Sequence, residues 1–420
     1  MKLAFHALVV TLAAVAATGC EEPAADTLGP LAPRSACRVV VIASDYRSSS
    51  VSLVTPTGQV CAPDIVDSGS RAPALLTALS GDVVVPSGPT PDGQIYLIDR
   101  YPNAVLTRLD AASGAVLGQL ALSPGFAGNP QDLVTIDAHT AMVSRLQANP
   151  EPPDPTSPTT DPDAGGSDLL FVDTVTDQRL GTLSLASHAT PGFDAQPTQL
   201  ARLGERDHHV WVGLSHLDRQ FATAGPGRVL GVDPLARTVT NTVDLPGMKN
   251  CGHLVATASD AAVQGIWVAC SGLFKEGGAA QLAASGLAFI AADGTVLWTG
   301  HAADLGGQPI GFGLGALSSA HSSDRVLAVG VGSTATDAPD HLLLVDRRTG
   351  TATPILATAP FTLGQIAVTP SAILVADADP RTPLLHRLTL GADGVPREDG
   401  TIQVSRTGLP PRAIAMYLTP

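Results

Sequence analysis

One pattern recurs seven times along this chain and constrains its fold more than any other feature: an apolar run, then Asp or an equivalent polar residue, then a turn closing on Gly or a polar residue. The copies are SLVTPTG ending at Gly58, TRLDAASG at Gly114, LFVDTVTD at Asp177, LGVDPLART at Thr238, FIAADG at Gly294, LLVDRRTG at Gly350 and LTLGADG at Gly394, so successive ends lie 44 to 63 residues apart. Each copy is followed by an alternating run such as AVLGQLAL (115–122) or TVTNTVDL (238–245). Each is preceded by an apolar run such as QIYLIDRY (94–101), GIWVACS (265–271) or SAILVADAD (371–379). An Asp carboxylate accepts backbone N–H groups two residues on, and Gly supplies the positive φ of a tight reversal. These aspartates therefore read as turn formers, which explains why only six of the 38 acidic residues are Glu. No window after the leader sustains helical periodicity. About four short strands per roughly 55 residues, seven times over, predict an all-β chain: a seven-bladed β-propeller of four-stranded antiparallel blades.

Ile95-Tyr96-Leu97-Ile98-Asp99-Arg100, then Asn103-Ala104-Val105, Leu109-Asp110 and Ser113-Gly114-Ala115-Val116, resembles the bacterial YVTN-type propeller family. The triplet YVTN itself is absent, and the resemblance implies the fold rather than an activity.

The ends of the chain predict how the ring closes. Arg38–Ile42 matches the second strand of later blades, and nothing upstream serves as its inner strand. One run is left over after TIQVS (401–405), namely Pro411–Leu418. Residues 412–418 are expected to complete blade one as its inner strand, because an open ring exposes a blade face and a strand edge.

The first 20 residues, MKLAFHALVVTLAAVAATGC, combine a basic start with an apolar stretch too short to span a bilayer comfortably. Ala17-Thr18-Gly19-Cys20 resembles the lipobox of bacterial lipoproteins, with Ala17 where the family usually carries Leu. The resemblance implies a signal peptide over 1–19, a lipidated Cys20, and a flexible tether over 20–36 ahead of a propeller over 37–420. Glu21, rather than Asp, after the cysteine resembles lipoproteins sorted to the outer membrane, facing the periplasm or the cell surface. The alternative is an ordinary signal peptide, with Cys20 incidental.

Removing Cys20 leaves four cysteines, an even number suited to an oxidising compartment. Cys251 and Cys270 flank a turn at 259–263 and are expected to pair at the open end of a hairpin; Cys37 and Cys61 are placed similarly about the turn at 47–50. No C-x-x-C spacing supports a metal instead. The chain carries a net charge of −14, which repels phosphate backbones and argues against nucleic-acid partners.

Candidate site residues sit where inner strands should begin, at a channel mouth: Arg71, Gln131, Asp132, Gln199, His253, Gly313, Gln365 and Arg412. Polar strand ends are equally what a wet channel requires. All six glutamates are expected off the strands, which counts against a carboxylate metal cluster. The Pro/Asp-rich insertion at about 148–167 holds Asp154, Asp161, Asp163 and Asp168; it reads as a solvated loop, with calcium binding the weaker alternative. His208, His209 and His216 form the densest histidine set, but adjacent strand residues face opposite ways. Trp211, Trp267 and Trp298 are expected in different blades, as packing between them. The expectation is a monomeric, non-enzymatic, lipid-anchored envelope module without cofactor or metal that binds a protein, a glycan or another envelope component. The alternative is a channel-mouth hydrolase or oxidoreductase using Asp132, His253 and Arg412.

Overall fold

The computed structural model describes residues 28–417 except 91–92, 152–160, 205–208 and 318–322. The leader, Cys20 and most of the tether lie outside them. The chain forms seven four-stranded antiparallel sheets arranged as the blades of a propeller. Numbered in chain order, their inner strands are Pro411–Met416, Val83–Val84, Pro130–Thr135, Pro197–Arg202, His253–Ala256, Ile310–Ala316 and Leu363–Val368.

The second strand of each blade is buried almost throughout, as in Val39–Ser44, Gln94–Asp99 and Gly265–Ser271. It is covered on both faces by neighbouring blades, so it reads as a continuous apolar run. The outermost strands alternate, as in Thr238–Leu245, because one face meets water. The core is accordingly a set of seams. Trp211 and Val229 of blade 4 pack with Ile266 and Val268 of blade 5, and Trp267 and Phe289 of blade 5 pack with Val326 and Ala328 of blade 6. Trp267 and Trp298 share blade 5, with ring centroids 5.8 Å apart, rather than lying in different blades; Trp267 still packs against blade 6.

The recurring turns join the third and fourth strands. Asp110 accepts the Ser113 N–H, Asp173 those of Val175 and Thr176, Asp233 that of Leu235, and Asp346 that of Arg348. The Ser113 hydroxyl and then its N–H hold the Asp110 carboxyl below the usual range, and the Thr176 and Val175 N–H groups do the same for Asp173. One short helix, Gly278–Ala284, lies within the link between the second and third strands of blade 5.

The last strand closes the ring as expected. Pro411–Met416 pairs antiparallel with Val39–Ser44, in the register Val39 to Met416 and Val41 to Ile414. Both cysteine pairs form disulfides, with Cα atoms 3.9 Å apart for Cys251–Cys270 and 6.1 Å for Cys37–Cys61. The second joins strands differently from the symmetric hairpin expected: Cys61 lies on the third strand in chain order, Val60–Asp67, and Cys37 just ahead of the first, Val39–Ser44. The strand Ser49–Val54 runs between them, and its turn fixes the register of that hairpin without setting the cysteine pairing.

The insertion leaves blade 3 between its second and third strands, and its centre, including Asp154, lies outside the described residues. Its far end is pinned by arginines. Asp168 pairs with the fully buried Arg145 at 2.6 Å, and Asp161 with Arg179 at 2.7 Å. Arg145 also donates to the carbonyls of Leu122 and Asp163. Carboxylates held this way are structural counter-ions rather than a calcium loop.

Candidate functional site

Consecutive inner strands lie side by side around a central channel. The seam contacts are polar and specific. The Leu200 N–H donates to Asp132 Oδ2 at 2.8 Å, Leu254 N–H to Gln199 Oε1 at 2.9 Å, and Ile414 N–H to Gln365 Oε1 at 3.1 Å. In each case a polar residue of one blade's inner strand accepts a backbone donor from the next blade's. In blades 3, 4 and 7 the inner strand's pairing with the second strand is itself irregular around Asp132, Gln199 and Gln365. Where blade 6 carries Gly313, the strands come closer still: a Cβ there would sit 2.5 Å from the Gly364 carbonyl oxygen, and one on Gly364 would sit 2.5 Å from that of Arg412. Several of the residues expected at the mouth thus latch the ring.

Asp132 is the most heavily bonded of them. It accepts from the Ser87 N–H and hydroxyl, from Leu133 N–H and from Leu200 N–H. Burial nevertheless dominates and pushes its carboxyl up to about 6. Ser87 belongs to the segment that leaves blade 2 after the two-residue inner strand Val83–Val84 and crosses toward blades 3 and 4, where its hydroxyl also reaches the Leu200 carbonyl at 3.0 Å.

The remaining candidates separate. Arg100 bridges Asp82 and the Gln131 amide oxygen. Arg412 donates to the Ser44 carbonyl at 2.7 Å, and its guanidinium stacks over Tyr46, 4.2 Å from the ring centre. His253 packs against Phe312, with centroids 4.6 Å apart and the rings tilted by 48°; its Nδ1 is buried without a partner, and burial, assisted by the charge of Arg100, pushes its imidazole down to about 3. Arg71 is corrected: it is exposed in the link before blade 2, donating to the Ser70 carbonyl, and that blade's inner strand begins at Val83. No described contact joins any two of Asp132, His253 and Arg412.

Other expectations resolve similarly. Glu398 lies on the strand Pro396–Ile402, not off it, where it accepts from His386 Nδ1; that ring also contacts Asp377. His216 is structural: its Nε2 accepts the Thr190 N–H, and Nδ1 donates to the Pro226 carbonyl. Among the described residues, no group of three or more His, Cys, Asp or Glu side chains is arranged to hold a metal ion.

Two features went unread in the sequence. The exposed aromatic side chains among the described residues are Tyr46, Tyr101, Phe221, Phe274, Phe312 and Phe361. Tyr46, Tyr101, Phe221 and Phe274 lie in links between second and third strands, Phe361 in the link from blade 6 to blade 7, and Phe312 near the start of an inner strand. All of these lie on the face where inner strands begin. The opposite face, where the Asp turns lie, exposes Val175 and Leu235 instead. The alternation of strand direction places both sets, so strand parity was the available signal.

The second feature is a cavity of about 510 Å³ in the channel, reached by Phe312 at one end and by Ser259 and Pro370 at the other. A cavity of about 290 Å³ shares Ser87, Pro89 and Leu254–Ala256 with it.

No protein-family model matches the chain, and no curated protein does. Solved structures match over nearly the whole length. A putative 6-phosphogluconolactonase from Bacteroides fragilis is 13% identical with a TM-score of 0.53, covering 92% of this chain and 99% of that one. A functionally unknown protein from Desulfotomaculum acetoxidans is 10% identical with a TM-score of 0.52, covering 91% and 99%. Dihydro-heme d1 dehydrogenase NirN is 13% identical with a TM-score of 0.51, covering 95% and 77%. At these identities the likeness establishes the propeller fold alone.

Proposed function

We propose that this protein is a lipid-anchored propeller of the bacterial envelope that serves as a non-enzymatic binding module, presenting the face where inner strands begin to a protein or glycan component of that envelope. The observation that carries this reading is the segregation of every described exposed aromatic side chain to that one face. Aromatic rings are enriched at recognition surfaces because they cover large areas at little conformational cost. The two disulfides are compatible with an exported protein. The lipid anchor rests on the resemblance of residues 17–20 to a lipobox.

The test is photo-crosslinking of the full chain in its native envelope. A photoreactive phenylalanine replaces Tyr46, Tyr101 or Phe361 in one set, and Val175 or Leu235 in the other. Discrete adducts from the first set alone are expected; adducts formed equally from both faces, or from neither, overturn the reading. Cys20→Ser is expected to move the protein from the detergent fraction to the soluble one, and unchanged partitioning defeats the anchor.

A further inference from the structure

We infer that the channel cavity is a binding site for one small, uncharged, mostly apolar molecule carrying a hydrogen-bond acceptor oxygen. The cavity's volume, about 510 Å³, lies within the range of small-molecule sites. Among the described residues, no Asp, Glu, Lys, Arg or His lines it; its walls are strand edges and side chains such as Leu314, Ile366, Ala367 and Ile414. A charged ligand would leave water and meet no counter-ion.

Five polar side chains lie along the wall, those of Ser87, Gln199, Ser259, Gln365 and Thr369, and two of them are occupied. Ser87 donates to Asp132 and Leu200, and Thr369 is bonded within its own turn and to the Pro56 carbonyl. Gln199 and Gln365 differ. Each amide oxygen is taken by a backbone N–H of the next blade, and a backbone N–H can only donate, which fixes the orientation of both amides. What each amide retains is its NH₂. These two NH₂ groups, on a wall that is otherwise mostly apolar, select a carbonyl, ether or hydroxyl oxygen on the ligand. Phe312 lines the cavity and stacks toward Phe274, with centroids 5.9 Å apart, so a path of aromatic rings leads inward from the rim.

The site shares Phe312 with the proposed partner face, but its experiment, small-molecule binding to the isolated chain, does not depend on that face having a partner. The probe is prodan, an uncharged naphthalene ketone whose emission shifts to the blue in apolar surroundings, titrated into the full chain. Saturable one-to-one binding with a blue shift is expected. Gln199→Glu and Gln365→Glu keep the oxygen that latches the neighbouring blade while replacing the NH₂ with a negative charge; each is expected to weaken binding by about tenfold or more. Ala256→Trp, at a half-buried position lining both cavities, is expected to abolish binding while leaving the melting temperature within about 3 °C of the parent. If that variant fails to fold, Ala316→Phe takes its place. 2-Dimethylaminonaphthalene, which lacks the carbonyl, should bind about tenfold more weakly, and an anionic toluidinyl-naphthalene sulfonate should not compete. Failure of prodan to saturate, or undiminished binding to the filled variant, overturns the site. Equal binding of the carbonyl-free probe overturns the acceptor, and competition by the sulfonate overturns the neutral ligand.

Discussion

Val41, on the first strand of the chain, pairs with Ile414, on the last, inside one sheet. Both are buried, and each belongs to the apolar seam between blades 7 and 1. The ring is therefore held shut by hydrogen bonds between the two ends of the propeller sequence, supplemented by Asp64, which accepts the Arg406 N–H at 2.9 Å and the Ser405 hydroxyl at 2.7 Å.

Deleting Pro411–Pro420 should consequently cost far more than trimming a tail. Ala413, Ile414, Ala415 and Tyr417 are all buried, and returning them to water costs on the order of 5 kcal/mol before the exposed edge of Val39–Ser44 is counted. The expected result is a lower melting temperature and rapid proteolysis within blades 1 and 7. A truncated chain that melts and resists protease like the parent would show that closure lies elsewhere.

Arg145 offers a sharper perturbation. Its guanidinium is fully buried and bidentate on Asp168, with further bonds to the Leu122 and Asp163 carbonyls. Arg145→Met leaves a carboxylate buried without its counter-ion and should destabilise by about 3–5 kcal/mol. Adding Asp168→Leu should restore a large part of that loss, because the pair is then removed together. Denaturant unfolding of both variants checks this; additive losses would show that the two residues act separately.

The sequence made the blades legible because each needs the same local solution: an Asp to tie a turn and a residue able to reverse the chain. The closing strand was legible as the run left over once the other strands were counted. Arg71 was misplaced because blade 2 keeps only Val83–Val84 as its inner strand, the chain then leaving to bond Asp132 through Ser87. A Ser-Gly-Pro segment signals a loop, and nothing local says that the loop enters the channel. Gln199, Gln365 and Asp132 were recognised as channel positions, but their work as latches depends on the backbone donor that the next blade's inner strand brings alongside, which no single strand encodes. The seven-fold pattern established architecture; the site lives where blades depart from it.

Asp132 makes the seam between blades 3 and 4 pH-dependent. Burial raises its carboxyl from 3.8 to about 6, so the folded state holds that proton more tightly than the unfolded one. The associated stability is fully present below about pH 4 and is lost as pH rises through about 6, on the order of 3 kcal/mol across the window. The turn aspartates, with lowered values, act in the opposite sense and lose stability as pH falls, so only a difference isolates Asp132. The stability gap between the parent and Asp132→Asn should shrink from pH 4 to pH 7. A gap that widens would mean that the four donors around the carboxylate outweigh its burial.

The close approach of inner strands leaves no room for a Cβ at Gly313 or Gly364. Gly313 and Gly364 have no positive φ, so an alanine at either position suits the local backbone. Sterics decide instead, because each added Cβ would sit 2.5 Å from a carbonyl oxygen of the next blade, where backbone rather than a flexible side chain must move. Gly400, on the outermost strand of blade 7, would meet only the tip of Arg387 at 3.5 Å. Gly313→Ala and Gly364→Ala should each destabilise by about 1–3 kcal/mol, as overpacking does. Gly400→Ala should be neutral or stabilising by a few tenths to about 1 kcal/mol, through the loss of unfolded-state freedom. Since the clash at Gly364 lies at the blade 7 to blade 1 seam, its variant should also share the protease sensitivity of the truncated chain, whereas that at Gly313 should loosen the seam between blades 6 and 7. Equal behaviour of all three alanine variants would show that the inner strands tolerate a wider ring than the one described.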